Sequence, residues 1–308
     1  MRPLDPLSLR LFVSVAERGT VARAAEHEHI AAAAISKRIS DLEAILGTPL
    51  LTRTNKGVEV TAAGQALLTL ARRALYELEQ IPLQMRDFEN GVRGLVRVCA
   101  SMSAITQFLP HDLRSFLGRY PDVRIDLEEV RSADIQRSVE QHAADIGIFT
   151  SVPQSEQLLI RPYHRDRLAA CFPRSHRLAG RQSVRFVEFA DEDVLGMHTG
   201  SATAMLLAQA AGGLERPLRG RFRATSFDAL CMMVHCGLGV GVLPEAIARR
   251  NAASLELAVS RLDEPWAQRD FHLALRPSGQ QSEAARLLAV HLGECASRAS
   301  SPSGEPAA

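Results

Sequence analysis

The sequence predicts an α/β protein with an α-rich N-terminal domain, and three observations predict it. Up to Thr61 the apolar residues recur at helical spacing in three short runs. One long amphipathic stretch follows, from Ala62 to about Glu89. From Leu95 onward, short β-like runs alternate with helical ones, the pattern of layered α/β structure. The chain has 308 residues, more than one hydrophobic core usually serves, so two compact domains joined by a connector are expected.

In the N-terminal region Ser8 is placed to cap a helix carrying Leu9, Phe12, Val13 and Ala16, and Gly19 stops it. Thr20 caps a second helix with Val21, Ala24 and Ala25 on its inner side. A break from Glu28 to Ala31 leads to a third helix with Ile35, Ile39, Leu42 and Leu46 inward, ended by Gly47 and Pro49. Helices this short must pack on one another to persist. Leu50 to Thr61 reads as a hairpin, with Arg53 to Gly57 as a polar turn between Leu50-Leu51 and Val58-Glu59-Val60. The long helix then carries Ala66, Leu67, Leu70, Ala74, Leu75, Leu78 and Ile81 as a stripe suited to pairing, and Pro82 should kink or interrupt it. Asn90-Gly91 and Gly94 mark a boundary.

Strands are expected at 96–98, 123–127, 146–149, 168–172, 194–197, 240–243 and 273–275. Helices are expected at 105–119, 132–142, 203–211, 226–236 and 282–295. The end, 297–308, is small and polar and reads as a disordered tail.

Bulk properties exclude little by themselves. Hydrophobic residues are 46% and charged residues 23%, ordinary globular usage, with a net charge of +1. Residues 1–61 carry 8 Lys/Arg against 7 Asp/Glu, so a basic footprint must come from placement rather than excess. No apolar run approaches the ~20 residues of a membrane span, and Met1 to Pro6 has no signal-peptide core. The five cysteines (Cys99, Cys171, Cys231, Cys236, Cys295) are scattered, without zinc-site spacing, which fits a reducing cytoplasm.

The third helix carries the strongest local signal. At ~100° per residue, Lys37 falls opposite the inward stripe, flanked by Ala33 and Ser40 on one side and Ala34 and Arg38 on the other. That face is small and cationic. Ala31 to Ala34 let it approach a major groove closely, and the helix N-terminus favours phosphate. Alone, this is equally a solvated helix face. With a hairpin bearing Arg53, Asn55 and Lys56 beside it, it reads as a nucleic-acid surface.

Residues Leu7 to Gly64 resemble the DNA-binding region of the LysR-type transcriptional regulators. The carriers are Leu11-Phe12, Ala16-Glu17, Gly19-Thr20, Ala24-Ala25-Glu26, Ile35-Ser36-Lys37-Arg38-Ile39, Leu42-Glu43, Leu46-Gly47, Leu50 to Arg53 and Thr61 to Gly64. The resemblance implies a winged helix-turn-helix at 1–61 and a linker helix at 62–91 that pairs with its twin in a homodimer, with homotetramers common. It assigns DNA contact to Thr20, Ala31, Ala32, Ala33, Ala34, Ser36, Lys37, Arg38, Arg53, Asn55 and Lys56, with Arg53 on the wing reaching phosphate or minor groove. Many members carry Ser-Gln-Pro where this chain has Ala31-Ala32-Ala33, and Ala32 cannot hydrogen-bond base edges as glutamine does. Recognition then rests more on Ser36, Lys37 and Arg38, on alanine contacts to thymine methyls, and on DNA shape.

Residues 93–296 resemble the effector-binding region of the same family, through Gly94 to Val98, Phe108-Leu109-Pro110, Phe116 with Tyr120-Pro121, Asp145 to Ile148 and Gly237 to Pro244. The resemblance implies a two-lobed α/β domain of the type 2 periplasmic-binding-protein kind at 92–296. Lobe I takes 92–163 and 269–296, and lobe II takes 166–263. A ligand in such sheets binds beyond the carboxyl ends of strands, here between the lobes. Candidates are Ser101, Met102 and Ser103 after the first strand, Thr150 and Ser151 after the third, and His198, Thr199, Gly200 and Ser201 after the fifth. A carboxylate suits such hydroxyls and helix N-termini. Each serine is equally a helix cap, and Phe227 is either a cavity wall or core.

Other chemistries find less support. Gly237 to Gly241 precedes a strand and lacks the dinucleotide spacing. His27 and His29, two apart on a helix, point in different directions. Cys231 and Cys236 on one helix sit about 140° apart, too divergent for a disulfide without unfolding. No cofactor and no catalytic constellation is expected. The sequence therefore reads as a cytoplasmic regulator binding double-stranded promoter DNA and a small-molecule effector, with RNA polymerase as a further partner and no membrane. The alternatives are a solute-binding or enzymatic α/β protein whose N-terminal helices only mediate assembly, and a DNA-compacting protein, which leaves the large second domain unexplained.

Overall fold

The computed structural model describes residues 4–54, 57–87, 92–150, 155–213, 222–277 and 281–300. It divides into two compact units near Gly94.

The first unit holds α1 (Pro6–Arg18), α2 (Val21–Glu28), α3 (Ala32–Leu46), the antiparallel hairpin of β1 (Leu51–Thr54) and β2 (Gly57–Val60), and α4 (Ala62–Asp87). Leu11, Phe12 and Val15 of α1, Ala24 of α2 and Ile35 of α3 have no exposed surface. Burying the larger of these side chains contributes about 1.5–3 kcal/mol each, which is what holds helices too short to stand alone. Thr20 caps α2 by accepting from the Arg23 N–H, and Gly19 and Gly47 end α1 and α3 in left-handed conformation.

Three expectations change here. The cap of α1 is Asp5, whose carboxylate accepts from the backbone N–H and the hydroxyl of Ser8; Pro6 fills the first helical position, where a missing N–H costs nothing. Leu46 is exposed in the last turn of α3, because the inner stripe ends at Leu42. α4 runs unbroken across Pro82.

The wing is anchored from two sides. Glu43 of α3 accepts from the N–H groups of Leu50 and Leu51 at 2.8 and 3.2 Å, and the Val58 N–H donates to the Gly19 carbonyl at 2.8 Å. Thr61 caps α4 through the Gly64 N–H, and a Cβ on Gly64 would sit 2.1 Å from the Leu50 carbonyl oxygen. Only glycine lets α4 start that close to the hairpin.

The second unit is built on one ten-stranded sheet. Its elements are β3 (Gly94–Ala100), α5 (Met102–Gln107), α6 (Leu109–Arg119), β4 (Val123–Glu129), α7 (Ser132–Glu140), β5 (Ile146–Phe149), β6 (Leu159–Pro173), β7 (Ser183–Val184), β8 (Val194–Met197), α8 (Ala202–Ala211), β9 (Arg223–Ala224), α9 (Phe227–His235), β10 (Val240–Pro244), α10 (Glu245–Ala252), β11 (Leu257–Leu262), β12 (Gln268–Leu275) and α11 (Glu283–Ser300). The strand order is β4-β3-β5-β12-β6-β10-β8-β9, with β11 joining β6 to β7. β3 and β5 are parallel, as are β10, β8 and β9, while β12 and β6 run antiparallel through the middle.

Two lobes share this sheet. The first packs α7 under β3 and β5 around Cys99, Ile135, Val139 and Phe149, and the second has cores around Phe172, Phe189 and Val242 and around Leu195, Leu230 and Ile247. The lobe boundary expected between 163 and 166 falls within β6, which is continuous, pairing with β12 up to Arg167 and with β10 and β11 beyond it.

Other boundaries also move. The helix expected at 105–119 divides at Phe108, because Pro110 lacks the N–H that would continue α5. α10 and β11 were not anticipated. α11 extends to Ser300, so 297–300 is helix rather than tail, and 301–308 lies outside the described residues.

Candidate functional site

Two surfaces carry the sequence-predicted residues. The first is the outer face of α3. Ala31, Ala32, Ala33 and Ala34 are all exposed, Ala31 caps the helix with no side-chain bond, and Ser36 is half-buried behind them. The Lys37 ammonium is exposed and has no partner among the described residues. Arg38 is less free than expected: its guanidinium donates to Asp5 at 3.4 Å and to Ser8 at 3.3 Å, tying α3 to the start of α1. Thr20 is committed to capping α2. Arg53 lies on β1 opposite Val58, while Asn55 and Lys56 lie outside the described residues. One end of the unit thus presents a helix N-terminus, four methyl-sized side chains and a free ammonium. That is a surface which fits a groove and attracts phosphate.

The second is a cavity of about 250 Å³ in the second unit, lined by Ser101, Met102 and Ser103 from β3 and α5, Glu129 to Ser132 between β4 and α7, Met197, His198, Ser201, Ala202 and Thr203 from β8 and α8, and Phe227 of α9. It lies where the carboxyl ends of β3, β4 and β8 meet the N-termini of α7 and α8, which aim partial positive charge inward. Phe227 walls it and is also core, only 4% exposed.

Six of the predicted residues come together here: Ser101, Met102, Ser103, His198, Ser201 and Phe227. The structure does not bring Thr150, Thr199 and Gly200 to the lining. The Thr199 hydroxyl is taken up by Arg223, on the wall of a separate groove, and Ser151 lies outside the described residues. Gly200 acts one step removed. Its Cβ would meet the Arg131 side chain at 2.8 Å, so its bareness lets that arginine pass along the rim.

Capping versus ligand contact resolves differently for each serine. Ser201 accepts from the Ala204 N–H and caps α8. Ser101 precedes α5 without making a side-chain cap; its hydroxyl is buried and has no partner among the described residues. Ser103 and Thr203 both accept from the buried Arg269 guanidinium, at 3.4 and 3.1 Å, and neither hydroxyl donates to an acceptor among the described residues. The cavity floor is therefore rich in unused donors. Arg131, Ser132 and Thr203 were missed as site residues; the openings of their helices, at 132 and 203, were the available signal.

Burial argues against thiol chemistry on α9. It pushes the Cys231 thiol up to about 11, and Cys236 is exposed beyond the helix end. No helix among the described residues is long and apolar enough to cross a membrane.

Comparison with known proteins covers the domains that carry these two surfaces. Residues 7–65 match the model of the bacterial regulatory helix-turn-helix protein, lysR family, and residues 89–296 match the LysR substrate binding domain. The chain is 26% identical over 255 residues to the transcriptional regulator CysL of Bacillus subtilis (strain 168), covering 83% of this chain and 85% of that protein. It is 25% identical over 293 residues to AlsR of the same organism, covering 93% and 94%. Among solved structures, full-length CbnR complexed with its target DNA superposes with a TM-score of 0.66 at 22% identity, covering 95% of this chain and 100% of that one.

Proposed function

This chain belongs to the LysR family of bacterial transcriptional regulators, with a helix-turn-helix DNA-binding domain and an effector-binding domain, and from that premise we propose how it works. α3 enters the major groove of promoter DNA with Ala31 to Ala34 at the base edges, Ser36 beside them and Lys37 on phosphate, while Arg53, Asn55 and Lys56 of the wing reach the backbone or the adjacent minor groove. The observation that carries this reading is the exposed Lys37, without a partner among the described residues, beside a face of small side chains.

The assembly is a homodimer formed through α4, extending to a tetramer. Leu70, Leu78 and Ile81 remain 63%, 44% and 54% exposed on α4, a stripe that a twin helix would cover. Two heads then meet two half-sites, which a single winged helix cannot do. The protein works in the cytoplasm, contacts RNA polymerase at the promoter and catalyses no reaction.

The effector occupies the cavity between the lobes. Ser101, Ser103 and Thr203 offer hydroxyl protons, α7 and α8 offer their N-termini, and Arg131 and His198 stand at the rim, so the ligand is an acceptor-rich anion, a small carboxylate. It regulates by binding two assembly shapes with different affinity.

Lys37→Ala tests the DNA reading. It should weaken binding to every sequence alike and flatten the plot of log affinity against log salt by about one unit. A change of preference at one base position, with the salt slope intact, would instead assign Lys37 to base readout.

A further inference from the structure

Both chain segments that cross between the lobes pass one buried ion pair. β6 changes partner from β12 to β10 and β11 just after Asp166, and Arg269 of β12 stands opposite Asp166 in the strand register. Their side chains are 2% and 5% exposed. The Arg269 Nε donates to Asp166 Oδ1 at 2.7 Å, and a second donor of the same guanidinium reaches Oδ2. Gln107 of α5 adds a bond to Oδ2 at 2.8 Å.

The rest of the fork leaves this pair and reaches the cavity walls. One terminal nitrogen donates to Thr203, on α8 of the second lobe, and the other to Ser103, on α5 of the first. A guanidinium is planar and rigid, so groups bonded to its several donors are fixed relative to one another. Phe271 lies beneath it, 5.6 Å from the guanidinium carbon, and limits its movement further.

We propose that Arg269, held by Asp166 at the lobe crossing, is a positioning residue that ties Ser103 and Thr203 together and so sets the width of the cavity the effector meets. The inference rests on the effector reading above. Closing or opening the lobes must stretch or release one of these two bonds, so the tether biases the equilibrium of lobe positions before any ligand arrives. It also occupies one lone pair of each hydroxyl, which leaves both hydroxyl protons for other acceptors.

The test is the spread of lobe separations in the full-length, ligand-free protein, read by pulsed electron spin resonance. Spin labels are placed through Leu127→Cys in the first lobe and Val187→Cys in the second, both exposed positions, with Cys236→Ser and Cys295→Ser removing the accessible thiols. Excess unlabelled protein confines the signal to pairs within one chain. Arg269→Lys keeps a cation for Asp166 but loses the fork, and Thr203→Val removes one anchor while leaving the ion pair intact.

Each variant is expected to shift the population toward wider separations by about tenfold, the scale of one charge-assisted hydrogen bond. The double variant should match Arg269→Lys alone, because Thr203 has no tether left to lose. Distributions identical to wild type, or effects of the two substitutions that add, would overturn the proposal. Should Arg269→Lys fail to fold, Thr203→Val alone decides. Titrating wild type with inorganic phosphate and with acetate tests the effector reading separately: an unmoved distribution there weakens that reading and leaves the tether standing.

Discussion

Replacing Asp145 by alanine is expected to destabilise the effector-binding domain by about 3–5 kcal/mol, the cost of stranding a buried charge. Asp145 precedes β5, and both its oxygens are used. Oδ1 accepts from Arg276 at 2.7 Å, and Oδ2 from the Arg97 N–H at 2.9 Å. Arg276 also donates to the carbonyls of Val139 and Ala144, so one pair of side chains joins β3, β5, α7 and the end of β12. Both side chains are 2% exposed, beyond the reach of screening salt. Without the carboxylate, the guanidinium stays buried beside the Val139 and Ala144 carbonyls and loses the charge that balanced it. Asp145→Asn keeps the shape and one acceptor, so it should cost less than Asp145→Ala. Urea unfolding followed by circular dichroism reads the difference as a lower midpoint. Equal midpoints for wild type and Asp145→Ala would show that the pair contributes nothing net.

Ala33→Glu should strongly weaken DNA binding while leaving the fold intact. Ala33 is exposed in the first turn of α3 and makes no side-chain contact that the change removes. A carboxylate in the first turn interacts favourably with the helix dipole, so helix stability should hold or rise slightly. Against DNA the same carboxylate faces phosphates and base edges at the closest approach. Affinity is expected to fall by about tenfold to a hundredfold per head, on the scale of one to three kcal/mol for a wrong contact in the site. Since a dimer carries the substitution twice, the loss should exceed that in the assembly. Fluorescence anisotropy on labelled duplex, beside a melting curve, separates the two effects. Unchanged affinity in a folded Ala33→Glu protein would remove α3 from the interface.

What the sequence disclosed was local. Helical spacing located α1 to α3, and the polar turn located the hairpin, because those elements bury one face in the pattern their period dictates. Asp5 displaced Ser8 as the first cap because Pro6, which fits the first helical position, was not read as a start signal. The first half of β6 was hidden by the polar Arg161, His164 and Arg165 and by Pro162, which has no N–H to pair, on a strand whose pairing is set by β12. α10 escaped because its eight residues mix Glu245, Arg249, Arg250 and Asn251 with alanines and a single large apolar residue, Ile247.

The cavity was half legible for the same reason. Ser101 to Ser103 and His198 to Ser201 follow predicted strands and could be guessed from sheet topology. Arg131 and Thr203 join them only in three dimensions. Asp166 and Arg269 lie 103 residues apart, and nothing in either neighbourhood announces the other. Asp145 opens the run that carries the family resemblance, and its buried bond to Arg276, 131 residues away, is invisible in that run.

Footprinting the pure full-length protein on DNA flanking its own gene, with and without candidate carboxylates, decides whether this chain grips promoter DNA and responds to a small anion. Protection is expected in two segments about one helical turn or a multiple apart, with the pattern changing when the right carboxylate is present. Absence of any protection at low salt, where phosphate contacts are strongest, would contradict the DNA reading.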